Sequence, residues 1–112
     1  MVLHHAPFSS GPNGSDVTLQ WPYGSWGASA VLAGHDHTYE RIVRDGLPYF
    51  VNGAGGFELY AFGAPVAGSA VRFNADFGAM LVEATRNNAV LKFVTRTGVV
   101  VDTFTVAPRA TP

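Results

Sequence analysis

Residues 29–52 read SAVLAGHDHTYERIVRDGLPYFVN. Ser29 to Ala33 is a short apolar run bounded by small residues, the pattern of a buried strand whose end delivers Gly34 to His37 into a loop. Thr38 to Arg44 and Leu47 to Asn52 then flank Asp45-Gly46, a dipeptide suited to a two-residue type I′ turn, in which both central residues need positive φ. The stretch therefore predicts a strand, a histidine-bearing loop and a β-hairpin, in that order.

Downstream, Gly53 to Gly56 (GAGG) gives the backbone conformations closed to other residues, and the Gly- and Ala-rich segment through Ala70 reads as an extended connection. The last third reads as a meander of Gly78 to Ala84, Ala89 to Thr95 and Val99 to Val106, each of ordinary strand length. Leu91 and Phe93 share a face opposite Lys92, and neither face of the final strand is strongly polar, which favours packing between two layers. Upstream, Met1 to Ala6 resembles a strand, and Phe8 to Ser15 (FSSGPNGS) has the composition of an irregular loop. Asp16 to Trp26 is the best place for a short helix, capped by Ser15 or Asp16 and limited by Pro22 and Gly24. Ala107 to Pro112 is expected to be a disordered tail.

A chain of 112 residues that is 47% hydrophobic can bury one core. Seven basic and eight acidic side chains leave a net charge of -1. No basic run exists that would neutralise a nucleic-acid backbone. Cysteine is absent, so disulfides, thiolate zinc sites and cysteine nucleophiles are excluded and any metal must rest on nitrogen and oxygen. No apolar run reaches the length of a membrane span, and Met1 to Leu3 is cut off by His4 and His5 before it could form a signal-peptide core. An opening with histidines and no lead-in suggests a fragment of a longer product. Its localisation is open, with export possible if a signal peptide lies upstream.

All four histidines, His4, His5, His35 and His37, lie at the ends of two predicted strands. In extended backbone, residues two apart point to the same side with Cα atoms roughly 6.5 Å apart. His35 and His37 are thus expected to converge on one ion or two neighbouring ions, with Asp36 pointing away. His4 and His5 should face opposite sides, so that at most one joins the pair. Asp36, Glu40 and Gly-loop carbonyls are candidate acceptors for the second ring nitrogens. A histidine near a strand end is also commonly a hydrogen-bonded structural residue, and that reading stands beside the metal one.

V-L-H-H-A-P near the start and G-H-D-H-T-Y-E-R at Gly34 to Arg41 resemble the last two metal motifs of the purple-acid-phosphatase branch of calcineurin-like metallophosphoesterases. The similarity continues through Trp26 to Ala33 and Val51 to Gly56. The resemblance implies an α/β fold, with residues 1–106 forming the C-terminal half of a four-layer α/β/β/α sandwich, a two-sheet piece in which strands predominate and helix is scarce. It also implies metal ligands at His5, His35 and His37, and two divalent or mixed-valence ions (Fe, Zn or Mn) in the intact parent. There a metal-bridged hydroxide would hydrolyse phosphoric esters, with the missing N-terminal half of the domain as the essential partner.

The resemblance is incomplete. The family's earlier D-x-H, G-D-x-x-Y and G-N-H segments are absent, and three neutral imidazoles cannot offset the charge of two cations, so the isolated chain is expected to be inactive. Asn13 stands where many relatives carry a histidine in the substrate loop; it can donate a hydrogen bond but cannot act as an acid. Three alternatives remain: a mononuclear three-histidine zinc protein, a cupin-like metal-binding β-domain, and a non-catalytic β-sandwich module with structural histidines.

Overall fold

The computed structural model describes residues 1–107, so the expected tail lies, apart from Ala107, outside the described residues. Seven strands occur among them: β1 (Val31–Ala33), β2 (Tyr39–Arg44), β3 (Leu47–Asn52), β4 (Ser69–Phe73), β5 (Gly78–Ala84), β6 (Ala89–Thr95) and β7 (Val100–Val106). They form a four-stranded sheet ordered β1-β3-β2-β4 and a three-stranded sheet ordered β5-β6-β7. The hairpin forms as expected, with Arg44 paired to Leu47 and positive φ at Asp45 (50°) and Gly46 (73°). The meander also forms within one residue of its expected bounds.

The first sheet is buried on both faces. On one, Val31, Ala33, Ile42, Leu47, Tyr49 and Val51 pack with Ala6 and Tyr23 from the N-terminal segment. On the other, Tyr39 and Phe50 meet Leu91, Phe93 and Val106 of the second sheet. This explains why β3 is an unbroken apolar run rather than an alternating one: five of its six residues are buried. Pro48 is tolerated because β1 begins pairing only at Tyr49, one residue further on. Between the sheets, Tyr39 stacks on Phe93 with ring centroids 4.3 Å apart.

One buried ionic contact also crosses the two sheets. Tyr39 Oη and Arg41 Nε both donate to Asp102 Oδ2 at 2.8 Å, and the Arg41 guanidinium lies over the Phe104 ring. Burial pushes the Asp102 carboxyl up, but the hydrogen bonds from Arg41 and Tyr39 outweigh it and hold the group below its ordinary value. Burial, with the neighbouring Asp102 carboxylate, pushes the Tyr39 phenol up.

The α/β expectation is corrected: the described residues form a two-sheet, all-β structure with no α-helix. The expected helix within Asp16 to Trp26 is a single 3₁₀ turn, Val17–Leu19, capped by Asp16, whose side chain accepts from Thr18 N. Pro22 and the turns around Gly24 and Gly27 stop it there. The N-terminal segment covers one face of the first sheet through Ala6 and Tyr23. β4, paired to β2, falls where only the end of an extended connection was expected. Met1 to Ala6 makes one isolated parallel bridge, Val2 with Leu32, instead of a full strand.

Candidate functional site

The bridge at Val2 places the first histidines. Leu3 N donates to Leu32 O at 2.9 Å and Gly34 N to His4 O at 3.0 Å, so the N-terminal segment runs alongside the end of β1. The backbone bends at His4 and His5 instead of continuing extended. Both rings consequently lie together, with centroids 5.1 Å apart. After β1, His35 adopts φ 69°, a left-handed conformation rare for a non-glycine residue. Its ring turns toward the first pair, 4.2 Å from the His5 ring and 5.1 Å from that of His4. One ligand nitrogen from each of His4, His5 and His35 lies within 4.8 Å of the other two.

His37 goes elsewhere. Its ring stacks on Tyr60 at 4.2 Å, nearly parallel, and its Nδ1 is buried without a hydrogen-bond partner. It shares a cavity of about 540 Å³ with His4, His35, Asn52 and the Gly53 to Gly56 loop. A neighbouring cavity of about 320 Å³ is lined by His5, His35, Asn13 and Asp16. Of the three histidines predicted as ligands, then, the structure brings His5 and His35 together and sets His37 apart. His4, placed by strand alternation on the opposite side, joins them.

The two acidic residues of the second motif are held in hydrogen bonds, Asp36 at the wall of the smaller cavity and Glu40 against the FSSGPNGS loop. Asp36 is 1% exposed and accepts from Ser9 Oγ (2.5 Å), Asn13 N (3.0 Å) and Asn13 Nδ2 (2.8 Å). Glu40, fully buried, accepts from Ser10 N, Ser10 Oγ and Ser69 Oγ at 2.5 to 2.7 Å. These bonds pin the FSSGPNGS loop onto β2, and they commit the Asn13 side chain to Asp36. The carboxylate that reaches the cluster is Asp16, with Oδ2 3.6 Å from His5 Nδ1. Its Oδ1 accepts from the Thr18 backbone and hydroxyl; these bonds, with His5 nearby, hold it below the ordinary Asp value. Sequence reasoning missed Asp16 and Tyr60 because both reach their histidines from distant loops.

No family model matches the chain, and no curated protein matches it. Among solved structures it is similar to GAP50, described as the anchor in the inner membrane complex of Plasmodium, with a TM-score of 0.83 and 20% sequence identity. The likeness covers 96% of this chain and 35% of that one, so the chain spans about a third of the neighbour's length. At that identity the likeness establishes the fold. These findings correct the family expectation: the sequence comparisons give no support to metallophosphoesterase membership, and the structural neighbour is titled an anchor. The expectations of phosphoric-ester hydrolysis and of a hydrolase likewise find no support in these comparisons. The motifs that suggested them are two short histidine segments, and the acidic residues beside the second are spent on loop structure.

Proposed function

We propose that this chain is a non-catalytic β-sandwich module that holds a protein partner, as an anchoring or scaffold segment does. The commitment of both buried carboxylates next to the histidines to Ser9, Ser10, Asn13 and Ser69 carries this reading. General acid–base work needs a carboxylate or imidazole within hydrogen-bond reach of the reacting group and free to exchange a proton. Asp36 and Glu40 are enclosed and each accepts three hydrogen bonds, and Asp16 serves as a cap, so among the described residues no free carboxylate stands beside the exposed imidazoles of His4 and His5. The similarity in fold to a structure titled as a membrane-complex anchor agrees with this role.

The surface offered to a partner includes Trp21 and Trp26, 47% and 57% exposed, with ring centroids 5.9 Å apart and exposed Val17 close by in sequence. Exposed tryptophans are the residues most enriched among energetically dominant interface contacts. With p-nitrophenyl phosphate and added zinc, manganese or iron, the expected turnover equals that of a His35→Ala control. Turnover well above that control would overturn the non-catalytic reading. For the binding role, a photo-crosslinker at position 26 should give one dominant protein adduct that Trp21→Ala depletes; adducts unaffected by Trp21→Ala would remove this surface from the proposal.

A further inference from the structure

We infer that Asn13-Gly14 is a deamidation site guarded by Asp36: the pair reacts only when the loop tip from Gly11 to Gly14 lifts, and its product keeps the tip from settling again. This goes beyond the anchoring role and does not depend on it. Asn13 and Asn52 are the two asparagines that precede glycine, the residue whose missing Cβ lets its nitrogen approach the preceding carboxamide. Asn52 is held extended in β3 opposite Tyr39, and Gly53 N donates to Thr38 O at 3.0 Å against the Asp36 carbonyl, which leaves that pair no room to react. Asn13 is exposed, and nothing lies within 4 Å of the position a Cβ would take on Gly14.

The step needs no reagent but water. Gly14 N attacks Asn13 Cγ and a C–N bond forms, while the Cγ–Nδ2 bond breaks and that nitrogen leaves as ammonia with the Gly14 proton. Water then opens the cyclic imide, at the side-chain carbonyl to give aspartate or at the main-chain carbonyl to give isoaspartate. Both nitrogens are engaged in the closed loop. Gly14 N donates to Gly11 O at 3.0 Å, and Asn13 binds Asp36 Oδ1 through N at 3.0 Å and Nδ2 at 2.8 Å. Gly11 seats the tip, since a Cβ there would collide with the Asp36 carboxyl group. The rest of the loop is held separately, by Ser10 on Glu40 and by Ser9 N on Ser15 Oγ, which makes the tip an opening unit of its own. After reaction a donor has become a second carboxylate, so the buried Asp36 loses a charge-assisted bond and meets like charge.

The test is peptide mapping by mass spectrometry of the full chain after incubation in mildly alkaline buffer, folded and in urea. Expected in the folded protein are conversion at Asn13 ahead of Asn52, isoaspartate among the products, and a rate at least about tenfold below that in urea, set by the fraction of time the tip is open. Gly11→Ala lifts the tip without altering either reacting residue and should raise the folded rate severalfold, with circular dichroism confirming the fold. Asn13→Asp makes one product directly, and its main-chain amide proton at that position should exchange at least about tenfold faster than in the unaltered chain. Equal rates folded and in urea, no conversion at Asn13 in the folded chain, or a Gly11→Ala rate equal to that of the unaltered chain would overturn the guarded site. An amide proton as protected in Asn13→Asp as before the change would overturn the release of the tip.

Discussion

Asp102 shows how a single residue couples the sheets. It receives hydrogen bonds from Tyr39 and Arg41 of the first sheet while sitting on the middle of β7. Replacing it with Asn leaves the Arg41 charge poorly matched in a largely buried setting. A loss of about 3 kcal/mol is expected, measured by urea unfolding. The pH dependence follows from the depressed carboxyl. Unfolded Asp titrates near pH 4, so the folded protein binds fewer protons at this site, and the stabilisation is complete above that pH. It is lost as the pH falls through the lower folded value, and Asp102→Asn should flatten that acid limb. At the same scale, Gly53→Ala would drive a methyl group into the Asp36 carbonyl oxygen and deform the turn that carries His37. A clear drop in melting temperature is expected. The histidine cluster was only partly legible in sequence. Alternation along a strand paired His35 with His37 and separated His4 from His5, whereas bent backbone at His4 and His5 and positive φ at His35 reverse both relations.

Elements were read best where local chemistry and packing agree. Asp45-Gly46 encodes its hairpin almost alone, and Gly46→Val should cost at least 1 kcal/mol because a β-branched residue must enter the left-handed region; thermal unfolding would show it. The meander strands announced themselves through β-branched and aromatic residues between Asn- and Gly-containing turns. β4 did not. Its Ser69-Ala70 start continues a Gly- and Ala-rich stretch, and the strand exists because the exposed edge of β2 is available to pair with it. The overestimated helix has the opposite cause. Asp16 is a genuine cap, but Tyr23 is drawn into the core beneath Trp26, and its hydroxyl bonds Leu19 O, which closes the segment into consecutive turns.

At the scale of the molecule, the shortest dimension is 20 Å, as two stacked sheets about 10 Å apart would give. On the second sheet and the turn entering β7, Leu81, Val82, Val99 and Val100 are each 46 to 57% exposed, and β5 is an edge strand with one charged residue, Glu83. Such an edge promotes association. Concentration-dependent light scattering is expected from the isolated chain, and Leu81→Lys should reduce it; an unchanged signal would place the contact elsewhere. The two-layer packing and the predominance of strands were legible in composition and periodicity, whereas the α/β class came from the family resemblance. Within residues 1–30 the loop at Phe8 to Ser15 was legible, and Pro22 and Gly24 marked the limit of any helix.

The Tyr39, Arg41 and Asp102 bridge bears on how the molecule opens. Without it, apolar side chains and the single backbone bond from Gly78 N to Ala54 O hold the meander to the sheet beneath, and apolar contacts tolerate sliding. With it, amide protons of Phe50 and Phe93 should exchange with solvent in one concerted event. Cutting the bridge should split that event in two, with the meander losing its protection first.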